Sequence, residues 1–393
     1  MTFDEFKQEV VDKIKDFLPV EYQNAEVEIK DVIKNNDTHL SGLTIHKEDT
    51  SISPTLYLED FYNAVENGEH SMNGVLSRMS DMYVEADNND IAKDAKNLVE
   101  NITDYEATKD KIVPRVVNRE SNEERLKGMP HTDVGNDLAV TYHVDLGNDK
   151  SGQMSVAISN EMMEKYGVSV GELHDQACAN MEHLSPTQIK GMSDTLAEIM
   201  IPNFAEMSQE EREQTKYEMG INVDHEAMYV ITNSTKVFGA AALLDSDSMD
   251  KIQEQIGEFY ILPSSVHECI LVPKTEEIDL ATLENMVQEV NSTQVAPNEV
   301  LSDHVYAYDS ETKEIYRADQ EAEHLKEKEA AREAKGEKAG KAEKTAVKAE
   351  EKKERPSLKA RLEDKKKESK ELAKDSKEKE IGKNTPKRGG DAL

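Results

Sequence analysis

Phe3, Phe6, Val10, Ile14 and Phe17 recur at spacings of three and four, so the chain opens on an amphipathic helix. Thr2 and Glu5 form a capping box at its start, and Pro19 ends it. The period then changes to two. Ala25, Val27 and Ile29 alternate with Glu26, Glu28 and Lys30, and Asn35-Asn36-Asp37 supplies a turn. Leu43 and Ile45 resume the alternation, which predicts a hairpin with one solvated face. Helical spacing returns over 55–100. Tyr57, Phe61 and Val65 form one stripe closed by Gly68. Val75, Met79 and Met82 form a second, and Ile91, Ala95 and Leu98 a third after Asn88-Asn89.

The run Ile112, Val113, Val116, Val117 is β-branched but interrupted by Pro114, which predicts an edge strand. Leu138, Val140, Tyr142, Val144 and Leu146 alternate with Ala139, Thr141, His143 and Asp145. Gly147-Asn148-Asp149 turns this strand into Met154, Val156 and Ile158. Three helices follow, near 160–166, 169–184 and 186–200. The acidic, weakly patterned segment 202–225 marks a seam. Beyond it come strands at 227–232 and 237–241 and a helix at 248–256. Strands at 259–262 and 269–272, a helix at 280–290 and a hairpin at 304–308 and 314–317 complete the pattern. Hairpins dominate, which predicts an α+β fold of antiparallel hairpins and mixed sheet with packed helices. The expected organisation is 1–201 and 202–320, as two regions or one continuous domain, then a tail at 321–393.

Charge sharpens that division. The 393 residues hold 48 Lys+Arg and 81 Asp+Glu. Residues 321–393 contain 23 of the former and 18 of the latter, so the body carries 25 − 63 = −38 and the tail 23 − 18 = +5. An acidic body repels phosphate backbones, which argues against nucleic-acid groove reading there and leaves room for weak contact by the tail. The tail is low-complexity Lys/Glu/Ala, predicted to be disordered or partly helical. Two cysteines, Cys178 and Cys269, exclude a disulfide framework and fit a reducing compartment. No apolar stretch approaches the ~18 residues that span a bilayer, and the start Met1-Thr2-Phe3-Asp4-Glu5 lacks a basic segment. The expected location is the cytoplasm.

Motifs for cofactors are missing. Phosphate-binding glycine patterns and paired Cys-x-x-Cys are absent, and neither a cofactor nor a metal is expected. Asp245-Ser246-Asp247 starts like a calcium loop but has Asp250 and Ile256 where glycine and glutamate belong. His267-Glu268 is half of a zinc-protease motif, with Leu271 in place of the second ligand. His174 and Cys178 share a helix face and could supply two ligands, but the buried stripe beside them reads Cys178 as core. The remaining candidate chemistry is Ser264, Ser265, His267 and Glu268, between two apolar runs. His131 after Met129-Pro130 joins them as a polar residue in a turn-like segment. A serine, histidine and acid in one turn suit a hydrolase by type, yet equally suit a structural turn or a binding loop.

Four segments together resemble the domain of unknown function 5688 family of gut Firmicutes. They are Met1–Phe17 with its hairpin, Gly128-Met129-Pro130-His131 leading into Asp137–Tyr142, Val168–Asn180, and Tyr229–Pro273. Leu262-Pro263-Ser264-Ser265-Val266-His267-Glu268 is the most specific stretch, and Asp133-Val134-Gly135 departs from the pattern. The tail with Arg355-Pro356-Ser357-Leu358-Lys359 is similar to tails on proteins of conjugative elements. The resemblance implies an accessory or mobile-element context and no mechanism. The resulting expectation is a non-enzymatic binding or regulatory protein whose acidic body meets a protein partner, with a basic one favoured by charge. The alternative is a hydrolase using His267 and Glu268 with Ser264 or Ser265.

Overall fold

Helix α1 (Phe3–Phe17) forms where the apolar spacing predicts it. The Thr2 hydroxyl accepts from the Glu5 N–H, and the Glu5 carboxylate accepts from the Thr2 N–H. The structure is a computed structural model describing residues 1–47, 53–88, 101–149, 152–221, 226–275 and 278–332. The buried stripe Phe6, Val10 and Ile14 packs in one core with Leu43, Ile45, Leu76 and Met79. Each such side chain contributes roughly 1.5–3 kcal/mol on burial. Strands β1 (Glu26–Ile33), β2 (His39–His46) and β3 (Thr55–Tyr57) form an antiparallel sheet in that order. Helices α2 (Glu59–Glu66) and α3 (Met72–Asp87) follow. Tyr57, expected in a helix, ends β3 because Leu56 pairs with Leu43 across the sheet. The expected third stripe, Ile91 to Leu98, lies outside the described residues.

A second sheet is built around the long strand β6 (Leu138–Asp149), which pairs β4 (Ile112–Asn118), β5 (His131–Val134) and β7 (Gly152–Ala157). β4 pairs with β6 alone, so Pro114 removes no ladder bond that a second neighbour would need. Helices α4 (Asn160–Tyr166) and α5 (Val170–Leu184) come next, and α5 buries Leu173 and Ala177.

The third sheet starts with β8 (Thr187–Gly191), followed by helices α6 (Met192–Met200) and α7 (Gln209–Met219). The chain continues through β9 (Tyr229–Asn233), α8 (Ser246–Ile256), β10 (Phe259–Leu262), β11 (Cys269–Pro273), α9 (Leu280–Thr293), β12 (Tyr306–Asp309) and β13 (Glu314–Arg317). The sheet order is β13-β12-β10-β11-β9-β8, antiparallel throughout. The architecture is thus α+β with antiparallel sheets. Two local expectations change. The helix expected over 186–200 begins only at Met192, because Thr187 to Gly191 pair with β9 and Pro186 disfavours helix before it. The strand expected over 237–241 is a tight helical turn, Gly239–Leu244.

The β1–β2 turn joins the first core to the rest. Asn36 and Asp37 have φ of 57° and 46°, a left-handed pair that short polar side chains tolerate. The Asp37 carboxylate accepts the N–H groups of Glu124 and Arg125 at 2.8 and 3.0 Å, capping the turn Glu123–Leu126. The Asn36 amide donates to Pro297 O and Val300 O, both at 2.8 Å. Residues Met1–Glu321 form one compact unit and Ala322–Leu393 another. Residues 321–332 are helical, and the expectations for 333–393 lie outside the described residues. Among the described residues no helix is long and apolar enough to cross a membrane.

Candidate functional site

The Pro263–Glu268 turn joins β10 to β11, so both its ends are anchored in sheet. Inside it, Val266 is buried, its N–H bonding Glu299 O and its carbonyl accepting from the Ala240 N–H. The Ser265 hydroxyl accepts the backbone N–H of His267 at 2.9 Å, a local turn bond. Ser264 is half-buried and Glu268 exposed. The His267 Nδ1 accepts the Phe238 N–H at 3.1 Å, which places the proton of the neutral ring on Nε2. That nitrogen lies 3.4 Å from Glu299 Oε1. The histidine therefore pairs with Glu299, while its sequence neighbour Glu268 stands apart because adjacent residues entering a strand point to opposite faces. His131 is exposed at the start of β5, its Nδ1 3.0 Å from Met129 O, in a different sheet from His267.

Phe238 is the centre of this group. Its φ of 52° is left-handed, which is strained for a bulky side chain by roughly 1–2 kcal/mol. Its ring is fixed on both sides, 5.4 Å from the His267 ring and 3.6 Å from the Arg115 guanidinium carbon. Gly239 permits the close approach: a Cβ there would sit 2.1 Å from Thr232 Oγ1 and 2.4 Å from His267 O. Thr232 donates its hydroxyl to that carbonyl at 2.8 Å.

Arg115 reaches Phe238 from β4. It is 9% exposed and donates through Nη2 to Ser155 Oγ at 2.7 Å and to Gln153 Oε1 at 3.4 Å. No carboxylate forms an ion pair with it among the described residues. Burial, then the nearby Arg125, push its pKa down to about 9, so it stays protonated at neutral pH. Beneath it His143 is buried and 3.2 Å from Thr141 Oγ1. Burial, then Arg115 and Arg125, hold that imidazole neutral.

None of these contacts joins a nucleophile to a base. Ser265 meets His267 only through the backbone. Cys178 Sγ and His174 Nε2 do meet, at 3.6 Å, and His174 Nδ1 is 3.0 Å from the Tyr142 hydroxyl. Burial pushes the thiol up to about 11, so it is protonated and a poor nucleophile or metal ligand.

A different surface stands out for what it exposes. Helix α6 turns Ser193 and Ala197 inward and leaves Leu196, Ile199 and Met200 outside, on one face by their spacing. Ile199 is 77% exposed. Helix α7, capped by Ser208 and Glu211, exposes Tyr217 and Met219 among Glu210, Glu211, Glu213 and Glu218. The buried Lys216 ammonium ties α7 to α6 through Asp194 at 2.7 Å. The weakly patterned appearance of 202–225 concealed this helix, although Ser208-x-x-Glu211 is a capping-box signal.

No curated protein matches the chain, and no solved structure does. The model of the family described as Family of unknown function (DUF5688) matches residues 3–310, the segment that contains every element from α1 to β12, and the chain belongs to that family.

Proposed function

We propose that this is a binding protein whose partner is a protein segment, basic and amphipathic, seated on α6 and α7. The observation that carries the reading is the exposure of Ile199 and its helix neighbours Leu196 and Met200 beside a strongly acidic helix. Apolar residues clustered on one helix face stand in water at a cost that a partner's apolar side chains would remove. Glutamates around them favour Lys and Arg on the incoming segment, and the body charge of −38 speeds its arrival. Catalysis at the Pro263–Glu268 turn has less support. A hydrolase needs its serine hydroxyl within reach of the histidine ring, whereas Ser265 bonds to backbone and His267 to Phe238 and Glu299. Two free thiols fit a reducing interior, so we assign the encounter to the cytoplasm.

Affinity capture from the source cell, run in parallel with wild type and Ile199→Asp, tests this reading. The expected result is a partner retained by wild type, released by raised salt and lost from the variant. Equal capture by both proteins contradicts it.

A further inference from the structure

We propose that Glu284, His304 and Asp319 bind one divalent transition-metal ion of the zinc class. Glu284 lies on α9, His304 in the loop before β12, and Asp319 in the turn Ala318–Gln320 after β13. One ligand atom from each lies within 4.8 Å of the other two. Zinc bonds of about 2.0–2.2 Å place tetrahedral ligands about 3.3–3.6 Å apart, so a contraction of at most about 1.5 Å by side-chain rotation closes the site.

The three are brought together by packing. Leu283, Val305 and Ala318, each the immediate sequence neighbour of one ligand, belong to the same small core. The Ala318 N–H also bonds Val305 O at 2.8 Å, tying the Asp319 turn to the His304 loop. The His304 N–H donates to Ser302 Oγ at 3.2 Å, and Ser302 is itself buried. A site whose ligands flank fixed core residues is preorganised, which is what metal coordination needs.

The chemistry of the groups fits as well. Among the described residues, neither the His304 ring nor the Glu284 carboxylate makes a hydrogen bond or ion pair, though both are half-buried. Asp319 is oriented by Arg317, which donates Nε and Nη2 to its two oxygens at 3.0 and 2.7 Å. Each oxygen keeps a second lone pair, so the arginine acts as the outer partner that a metal-binding carboxylate commonly has. Imidazole with two carboxylates suits zinc and its first-row neighbours, while calcium and magnesium prefer oxygen alone. Three protein ligands leave a fourth position for water.

A chain of net charge −33 attracts any divalent cation weakly, so the histidine is the discriminating ligand. The test is calorimetric titration of the chelator-stripped full chain with zinc chloride, repeated in excess magnesium. One saturable site that magnesium does not displace is expected. His304→Ala and Glu284→Gln should each weaken it at least about tenfold, and His70→Ala, an exposed histidine elsewhere, should leave it unchanged. Circular dichroism checks that the variants fold; if His304→Ala does not, Glu284→Gln decides alone. Absence of saturable binding, equal competition by magnesium, or wild-type affinity in either ligand variant overturns the proposal.

Discussion

The guanidinium carbon of Arg115, on β4, stands 3.6 Å from the centroid of the Phe238 ring, in the turn after β9. This stack joins the second sheet to the third and covers a positive charge that forms no ion pair with a carboxylate among the described residues. Truncation and isosteric replacement should therefore differ. Arg115→Ala removes the stack, leaves space behind it and unpartners Ser155, and should cost about 2–4 kcal/mol. Arg115→Met keeps most of the volume and removes the need to desolvate a charge, so its cost should stay below about 1.5 kcal/mol. Urea denaturation of both variants checks this. Equal losses would show that the charge, and not the packing, holds the two sheets together.

His143 makes stability depend on pH. Its ordinary pKa of 6.5 is lowered in the folded state by burial, then by Arg115 and Arg125. Below about 6.5 the unfolded chain takes up a proton that the folded chain refuses. Stability is thus complete above that pH and falls as the pH drops toward the folded value. His174 is shifted in the same direction, chiefly by burial. The melting temperature should drop between pH 7.5 and 5.5, and His143→Gln should shrink that drop. An unchanged difference in the variant would remove His143 as the cause.

The Asp37 carboxylate should contribute stability out of proportion to its position in a half-buried hairpin turn. It caps two N–H groups of a turn in the central part of the fold. Asp37→Ala should cost about 1–2 kcal/mol, as for other lost caps. Asn36→Ala, which also loses two carbonyl contacts and a tolerated left-handed conformation, should cost more. Chemical denaturation with one probe in the first core and one in the third sheet measures both. Losses within about 0.5 kcal/mol of zero would mean that the turn touches without holding.

Around the Pro263–Glu268 turn, the glycine should matter more than the histidine. Gly239→Ala drives a methyl group into Thr232 and the His267 carbonyl, both firmly placed, and should destabilise by at least about 2 kcal/mol. His267→Ala loses one backbone contact and one partly exposed acid pair, and should cost less than about 1.5 kcal/mol. Thermal melts of the two proteins rank them. The reverse order would make His267 a structural keystone.

Sequence patterns revealed the elements whose signal is local. The α1 capping box and the β1–β2 alternation appear where periodicity places them, because their residues choose between helix and strand within a few positions. The β6–β7 pairing also appears, but Gly147 to Asp149, expected as its turn, extend β6 past a bulge and pair with Met154 to Gly152. Thr187 to Gly191 escaped because strand identity there comes from pairing with β9, which is distant in sequence. The turn at Gly239 escaped because an apolar run reads alike as strand or buried turn. The site residues show the same limit. His267 next to Glu268 suggested a pair, but folding supplies Glu299 as the acid and Phe238 as the donor. Glu284, His304 and Asp319 have no motif spacing, since three separate elements deliver them.

The most direct test of the binding account places a photo-crosslinking side chain at position 199 on α6 and, as control, at position 69 in the exposed segment after α2. Illumination in the source cell, followed by mass spectrometry, identifies what lies against each. The account predicts one dominant crosslink from position 199, to a Lys/Arg-rich amphipathic segment of another protein, and none of that product from position 69. A partner that crosslinks equally from both positions, or an acidic segment at position 199, would contradict it.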